Sequence, residues 1–261
     1  MWQQLLCLVV TCNYNNKIFP PRSLLQKMSG NDKFEGFIPD MMKEMTKILG
    51  IEFSINVVKD ARYGLCNNGN CTGMIGEILR GEAELAIADL TVAPKRVLTV
   101  DFTQPFMTGG VTVLVNNPDP NLNTLEDLLE HGYSFLCVGG GSTENFLKSS
   151  RVSIHEKIAN SLETITNFNE GFERVLKSGE KIAVLAELST AKYHASEHCS
   201  LKIIGEPLNS VGYGIAMAKG IAVRTNEGVF EVRTLLDHAI LQMRYDSTLE
   251  LLQSKWWPKK C

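Results

Sequence analysis

The sequence lacks an apolar run long enough to cross a lipid bilayer. The longest apolar stretch near its start, residues 5–10, has six residues, whereas a membrane helix needs about 20. No cationic segment precedes this stretch, so it is also a poor signal peptide, and we interpret it as a buried strand. If the native protein is secreted or anchored, we expect its targeting and membrane segments to lie outside this sequence.

The chain also lacks a strong excess of either charge. Its formal net charge is −3, with 44% apolar and 21% charged residues over a length of 261. This composition is ordinary for a globular protein of one or two domains. Since no broad basic face is needed to explain it, we expect no nucleic-acid partner and no membrane surface as the main partner.

Motifs of several enzyme classes are absent. There is no G-x-S-x-G nucleophile turn and no H-E-x-x-H metal motif. The glycine run at residues 139–141 fits neither a dinucleotide fingerprint nor a phosphate P-loop. His194 and His198 have a spacing compatible with a metal, but no third ligand is evident. We therefore expect no catalytic residue, no cofactor and no metal site.

The seven cysteines cannot all pair within one chain, because their number is odd. Cys66 and Cys71 bracket a polar, turn-rich loop, which suits a disulfide. Zinc is the alternative for this pair, although the spacing is loose and no second pair of ligands lies nearby. Cys261 is the last residue, and a bond from it to Cys199 would hold the chain end in place.

Predicted strands and helices alternate along the chain, which favours parallel sheets with helices on their faces. Apolar residues between 40 and 49 share one helical face, and Gly50 is a plausible stop for that helix. Thr124 with Asp127 resembles a capping box that opens a further helix. We predict strands at residues 52–58, 84–89, 111–115, 134–138, 181–186 and 213–218.

Three predicted strands are followed by polar groups suited to an amino acid. Thr91 and Arg96 follow one strand, Ser142 and Thr143 follow another, and Glu187 ends a third. Each has a simpler interpretation: a solvated arginine, a plain capped helix and a solvated carboxylate. In open α/β sheets, however, ligands bind beyond the carboxyl ends of the strands. Together these groups would hold a carboxylate through the guanidinium and an ammonium through the glutamate.

An ordered set of segments resembles the ligand-binding domain of ionotropic glutamate receptors, over essentially the whole chain. The segments are residues 34–40 (FEGFIPD), 71–78 (CTGMIGEI), 89–96 (DLTVAPKR), 100–107 (VDFTQPFM), 141–143 (GST), 211–216 (VGYGIA) and 254–257 (SKWW). Each segment alone is a weak signal, but their shared order is specific.

The resemblance implies a set of ligand-contacting residues: Phe34, Asp89, Thr91, Arg96, Ser142, Thr143, Glu187 and Tyr213. In that family the arginine binds the ligand α-carboxylate, helped by the threonine and by the backbone N–H of the serine. The glutamate, the threonine and the Asp89 carbonyl take the α-ammonium. Phe34 would cover the ligand, Thr143 would meet a distal acidic group, and Tyr213 would border the pocket. Cys199 and Cys261 would form the disulfide of one lobe.

Two positions depart from the family pattern. Phe34 replaces the usual tyrosine, and Asp89 replaces a proline, which adds a carboxylate near the ammonium. These departures put strict selectivity for glutamate in question, so smaller or neutral amino acids stay open as ligands.

The family fold is α/β, a two-lobed clamshell like that of periplasmic binding proteins, with mixed sheets flanked by helices. Lobe 1 would hold residues 1–106 and 212–261, and lobe 2 residues 107–211. The pore segments that interrupt this domain in the family are absent near residues 116–121. The chain would then be a soluble core, monomeric or weakly dimeric, of a homo- or hetero-tetrameric receptor at the extracellular side of the plasma membrane.

Closure of the lobes on an amino acid, with glutamate as the first candidate, would gate the ligand-gated ion channel of that receptor. The first alternative is a periplasmic-type amino-acid-binding protein that serves a transporter and shares the fold. The second is an enzyme on the same fold, which would need a general acid or base beside a reacting bond.

Overall fold

The computed structural model describes residues 8–13, 31, 34–60, 62–64, 66–67, 70–116, 119–177, 179–225 and 228–258. The first residues of the predicted strand at the chain start, as well as Cys7 and Cys261, lie outside this range. The described residues fall into two compact units, within Met1–Met107 and Tyr213–Trp256, and within Thr108–Gly212 and Trp257–Cys261. The sequence analysis had placed residue 257 and those after it in lobe 1.

The first unit contains, over the described residues, a five-stranded sheet of β1 (Leu8–Asn13), β2 (Glu52–Val57), β5 (Leu85–Ile87), β6 (Asp101–Phe102) and β14 (Ala216–Met217). These strands lie in the order β2-β1-β5-β14-β6. The other elements of this unit are α1 (Phe37–Leu49), β3 (Cys66–Asn67), β4 (Asn70–Cys71), α2 (Gly73–Leu79), α3 (Pro94–Val97), β15 (Ala222–Thr225), β16 (Gly228–Glu231), α9 (Val232–Tyr245) and α10 (Thr248–Trp256).

Helix α1 illustrates how the sequence sets an element in this unit. Met41, Met42 and Met45 recur at helical spacing and are buried, as the apolar pattern predicted. The helix stops at Gly50, which adopts the left-handed conformation with φ of 66° and donates its N–H to the Thr46 carbonyl at 2.9 Å. A residue with a Cβ would be strained there, so the predicted stop is confirmed.

The second unit contains, again over the described residues, a five-stranded sheet of β8 (Val111–Asn116), β9 (Ser134–Val138), β10 (Glu163–Ile165), β11 (Ile182–Glu187) and β12 (Leu201–Ile204). These strands lie in the order β10-β9-β11-β8-β12. The helices of this unit are α4 (Leu125–Glu130), α5 (Ser142–Ser149), α6 (Ser153–Ser161), α7 (Phe168–Leu176) and α8 (Leu188–Glu197). Two short strands, β7 (Met107–Gly109) and β13 (Val211–Tyr213), lie where the chain passes between the units.

Alternation along the strands of the second unit builds a core on each face of its sheet. Phe135 of β9 and Leu185 of β11 belong to one buried cluster with Leu128, Leu147 and Ile158 from α4, α5 and α6. The intervening residues of the same strands form a second cluster, which packs against α7 and α8. Because successive strand residues point to opposite faces, the sheet lies between two helical layers.

The expectation of parallel sheets is wrong for the first unit and only partly right for the second. In the first unit β1 pairs antiparallel with β2 and β5, and β14 pairs antiparallel with β5 and β6. In the second unit β9 is parallel to β10 and β11, whereas β8 is antiparallel to β11 and β12. Strands contributed by distant parts of the chain are not held to the parallel direction of a βαβ unit. The sheets are mixed, as the resemblance implied.

The predicted strand at residues 213–218 is also wrong as a single element, because Gly214 separates β13 from β14. A Cβ at Gly214 would lie 3.0 Å from Val92 and 3.2 Å from the Thr103 carbonyl oxygen. Close packing at this glycine therefore interrupts the strand. Within the described part of the chain, no helix combines the length and the apolar composition that a bilayer span requires.

Candidate functional site

The start of helix α2 positions a short loop at residues 62–64. The Asp60 carboxylate accepts the backbone N–H of Gly73 at 2.9 Å, and the Arg62 carbonyl accepts that of Met74 at 3.1 Å. These bonds satisfy two N–H groups that a helix N-terminus would otherwise leave without a partner. The loop is thus fixed against the first turn of α2.

Gly64 lies in this loop, where only glycine fits. Its φ is 109°, and an added Cβ would lie 2.4 Å from the Thr72 carbonyl oxygen. The hairpin of β3 and β4 that follows is closed by a disulfide between Cys66 and Cys71, whose Cα atoms are 4.1 Å apart. The expected disulfide is confirmed, and zinc is excluded at this pair because the thiols are joined. The bond and the close approach together restrict the loop.

Arg96 lies in α3, after the strand β5, and the interpretation of it as a solvated surface residue is wrong. Its side chain is buried, with 6% of its surface exposed. The guanidinium donates from Nη1 to the Thr91 carbonyl at 3.0 Å and from Nη2 to the Gly64 carbonyl at 3.5 Å. A buried cation needs such partners to offset the loss of water. These contacts fix its direction, and a guanidinium has five N–H donors in all.

Asp89 is the second buried charged residue in this region, with 2% of its surface exposed. The Tyr63 hydroxyl donates to its Oδ1 at 2.5 Å. Tyr63 and Gly64 were not singled out by the sequence reasoning, because they lie 26 and 32 residues from their partners Asp89 and Arg96. Without a local pattern to link them, only folding brings these groups together.

Thr91 and Tyr213 come together although they are far apart in sequence. The two residues form an isolated antiparallel bridge, and both are buried. The Gly214 N–H donates to the Leu90 carbonyl at 3.2 Å, and the Phe106 N–H donates to the Tyr213 carbonyl at 2.9 Å. Backbone pairing therefore places Tyr213 beside the residue whose carbonyl binds Arg96.

Phe34 is half-buried and follows a turn attached to β2. Its backbone N–H donates to the Asn31 carbonyl at 3.0 Å. The Asn31 side chain accepts the Ile55 N–H at 2.8 Å and donates to the Phe53 carbonyl. The start of the segment that carries Phe34 is thus bonded to an edge strand of the first sheet.

In the second unit, the ends of two parallel strands bring Ser142 and Glu187 together. Strands β9 and β11 pair in parallel, Ser142 begins the helix after β9, and Glu187 is the last residue of β11. The Ser142 hydroxyl donates to the Glu187 Oε1 at 2.8 Å. The neighbouring Thr143 is buried. The carboxyl ends of parallel strands meet at one sheet edge, which explains this grouping.

In the glycine run between β9 and α5, one backbone N–H group is already bonded to a side chain of α5. Gly140, with φ of 73°, donates its N–H to the Glu144 carboxylate at 2.6 Å. Glu144 also pairs with Lys148 at 2.5 Å. The Lys148 ammonium, followed by this backbone N–H, lowers the pKa of Glu144. Glu144 occupies the position of the third glycine in a dinucleotide fingerprint, and its carboxylate binds one N–H group of the loop.

Within the described residues, no three histidine, cysteine, aspartate or glutamate side chains are grouped so that they could hold a metal ion. The ring of His194, a residue considered for metal binding, packs against Phe172 with centroids 4.1 Å apart.

Comparison with known proteins bears on what these groups do. Residues 8–119 match a family model described as "Ligated ion channel L-glutamate- and glycine-binding site". The chain is 25% identical to the mouse and human proteins named "Glutamate receptor ionotropic, kainate 5", over 96% of its length. A solved structure titled "Drosophila muscle GluRIIB complex with glutamate" matches with a TM-score of 0.80 and 25% identity, covering 95% of both chains.

Together these matches support a relationship to the ligand-binding domains of ionotropic glutamate receptors, as the ordered sequence segments implied. The structural match confirms the α/β fold class with the periplasmic-binding-protein-like arrangement of mixed sheets and helices. The relatives named above are receptors, not enzymes.

The chain spans less than two fifths of the kainate 5 receptors, since it covers 38% of the mouse protein and 37% of the human one. The alignment extends over 378 positions, more than the 261 residues of this chain. The relatives therefore carry segments without a counterpart here. The family match ends at residue 119, within the turn where the absent pore segments were expected.

Each of the two units brings together part of the predicted set. In the first, Arg96 binds the Thr91 carbonyl, Thr91 bridges Tyr213, and Asp89 lies two residues before Thr91. In the second, Ser142 binds Glu187 and Thr143 is adjacent in sequence. The ligand contacts of these residues remain predictions.

Proposed function

We propose that this ligand-binding domain binds an amino-acid agonist between its two units, with L-glutamate as the first candidate. The buried Arg96, fixed by the carbonyls of Thr91 and Gly64, is the observation that carries the proposal. A guanidinium can bind a carboxylate through two parallel N–H bonds, and burial strengthens such a charge-assisted pair. The ligand α-carboxylate is the group that Arg96 would hold.

The opposite end of the agonist would bind to the second unit. Glu187 supplies a carboxylate suited to the α-ammonium, and the Ser142 hydroxyl fixes one of its oxygens. Thr143 at the start of α5 adds a hydroxyl near a helix N-terminus, where the helix dipole favours a negative group. A distal carboxylate or amide of the agonist would meet this end of the helix.

In the full-length protein, we propose that closure of the two units on the agonist gates a ligand-gated ion channel. A ligand that contacts both units binds the closed arrangement more tightly and so shifts the equilibrium toward it. The names of the matched relatives favour this role over that of a transport protein. The full-length receptor would be a tetramer with this domain on the extracellular side of the membrane.

Isothermal titration calorimetry of the purified domain with a panel of amino acids tests the proposal. Removal of the guanidinium in Arg96→Ala should weaken binding by about 2–5 kcal/mol, because the ligand carboxylate loses its charged partner. Arg224→Ala, which removes an exposed arginine of the same unit, should bind normally. Near-native affinity of Arg96→Ala, or no binding of any amino acid to the native domain, would contradict the proposed function.

A further inference from the structure

The hairpin formed by β3 and β4 contains an acceptor sequence for N-linked glycosylation. Asn70, Cys71 and Thr72 fit the pattern N-x-S/T, in which the middle residue is not proline. No other asparagine of the sequence is followed by serine or threonine two positions later. The pattern is short, so its support must come from the structure around it.

Asn70 is exposed in this hairpin. It is the first residue of β4 and pairs in register with Asn67 of β3, while Cys71 pairs with Cys66. Thr72, which supplies the hydroxyl of the acceptor sequence, is exposed as well. An oligosaccharide is bulky and hydrophilic and needs a surface position, which Asn70 provides.

The residues after Asn70 attach the hairpin to helix α2. The Cys71 carbonyl accepts from Nη1 of Arg80 at 3.2 Å, and an added Cβ at Gly76 would collide with the same carbonyl oxygen. The Thr72 carbonyl accepts the Gly76 N–H at 3.0 Å. The helix therefore packs against the backbone of residues 71 and 72, and an oligosaccharide on the exposed Asn70 would displace no buried side chain.

The disulfides indicate the compartment in which the chain folds. Cys66 and Cys71 are joined within this hairpin, and Cys199 is also disulfide-bonded. Disulfides form and persist in oxidising surroundings such as the lumen of the endoplasmic reticulum. N-linked oligosaccharides are attached in the same lumen. The bonded cysteines and the acceptor sequence thus favour one compartment independently of each other.

We propose that Asn70 is a site of N-linked glycosylation. This inference rests on the proposed function, in which the domain lies on the extracellular side of a membrane. The reaction joins Nδ2 of Asn70 to the anomeric carbon of the first N-acetylglucosamine of a lipid-linked oligosaccharide. The bond from that carbon to the diphosphate breaks, the lipid diphosphate leaves, and the amide gives up one proton. The face of the first unit that carries the oligosaccharide stays in solvent in the full-length protein.

Secretion of the chain from mammalian cells, behind a cleavable signal peptide, tests the site. We expect treatment with peptide N-glycosidase F to lower the mass of the native chain by one oligosaccharide. Because this enzyme converts a glycosylated asparagine to aspartate, digestion in heavy-oxygen water should place the label at residue 70 in peptide mapping. The label distinguishes this conversion from deamidation that occurred before the digestion.

The variants locate the modification within the hairpin. Asn70→Gln should be secreted without the oligosaccharide, whereas Asn67→Gln, at the paired asparagine of β3, should keep it. Adding Asn123→Thr to Asn70→Gln creates an acceptor sequence at the exposed Asn121, and this double variant should regain one oligosaccharide. A native chain without an oligosaccharide overturns the inference, whether or not Asn121 is modified in the double variant. A mass loss in Asn70→Gln equal to that of the native chain overturns it as well.

Titration calorimetry separates this test from that of the proposed function. Asn70→Gln leaves Arg96 and its partners unchanged, so it should bind the same amino acid as the native domain with the same affinity. A glycosylated domain that binds no amino acid would contradict the proposed function alone. Binding of an amino acid by a native domain without the oligosaccharide would contradict only the modification at Asn70.

Discussion

At the scale of single residues, one hydroxyl orients the carboxylate proposed to hold the ammonium. Ser142 donates to Glu187 at 2.8 Å in the second unit. A hydrogen bond to a charged group contributes about 1.5–3 kcal/mol, and part of that should appear as lost affinity when the carboxylate is less well oriented. We therefore expect Ser142→Ala to bind the agonist more weakly, by about three- to thirtyfold, as measured by calorimetry.

Ser149→Ala is the matched control for this substitution. Ser149 ends the same helix, is exposed, and bonds the Phe146 carbonyl at 3.2 Å. It should bind the agonist as the native domain does. An unchanged affinity in Ser142→Ala would show that Glu187 does not depend on this hydroxyl.

The sequence identified the charged residues of each unit but not what supports them. Arg96 and Glu187 could be found because each follows an apolar strand, where α/β folds place ligands. Tyr63 and Gly64 belong to a loop without periodicity, and their partners Asp89 and Arg96 are distant in the chain. Burial of Arg96 was likewise not visible, since a lone arginine after a strand is more often solvated.

At the scale of elements, the contact of α7 with α8 contains a histidine that burial keeps neutral. His194 of α8 packs against Phe168 and Phe172 of α7, with centroids 5.1 and 4.1 Å away. Burial, assisted by the nearby His198, lowers the pKa of His194 to about 4. The unfolded chain keeps its ordinary value of about 6.5.

This difference in pKa predicts how stability depends on pH. Because the folded-state pKa is the lower one, the unfolded chain binds a proton first as the pH falls. The stability of the native domain should therefore drop between about pH 6.5 and about pH 4, and His194→Leu should lack this part of the loss. Urea unfolding at a series of pH values measures it.

His238→Leu, at an exposed histidine of α9 in the first unit, serves as the control. It should keep the pH dependence of the native domain. Burial also lowers the pKa of His155. Because the native domain and both variants contain this histidine, its contribution cancels in the comparison. A pH dependence in His194→Leu equal to that of the native domain would contradict the assigned cause.

Elements with strong local signals were predicted well, and those without them were not. The Thr124–Asp127 capping box is present, with both of its reciprocal bonds, and β9 has the predicted bounds. Helix α8 was missed because Ser189 and Ala191 are its buried residues, so no apolar stripe marks it. The length of β12, four residues, is likewise too short for a clear pattern.

At the scale of the whole molecule, the disulfides should differ in their effect on stability. Cys199 is disulfide-bonded, and its predicted partner Cys261 lies outside the described residues. A Cys199–Cys261 bond would close a loop of about sixty residues and contribute about 4 kcal/mol, whereas the short Cys66–Cys71 loop would contribute about 2 kcal/mol. We expect Cys199→Ser to lower the melting temperature more than the double substitution of Cys66 and Cys71 by serine.

Differential scanning calorimetry of both variants, with and without a reducing agent, measures these effects. The reducing agent should lower the melting temperature of the native domain and have a smaller effect on each variant. A Cys199→Ser variant that melts with the native domain would contradict the contribution assigned to that bond. Non-reducing peptide mapping identifies the partner of Cys199 independently.

The division into units depends on chain connectivity that the sequence showed only through the resemblance. The chain passes between the units after Met107, after Gly212 and after Trp256. Hydrophobic periodicity reports local structure and carries no information on which distant segments share a core. The first unit's sheet, which joins strands from both ends of the chain, could not be assembled from local patterns.

The chain passes from the first unit to the second between Trp256 and Trp257, so these adjacent tryptophans belong to different units. Trp256 donates from Nε1 to the Asp40 carboxylate at 2.9 Å in the first unit, whereas Trp257 donates to the Ser189 carbonyl at 2.9 Å in the second. Ser189 follows Glu187 by two residues. The sequence contains three tryptophans, so a variant that keeps Trp257 and replaces the other two would give an emission signal from the neighbourhood of Glu187 alone.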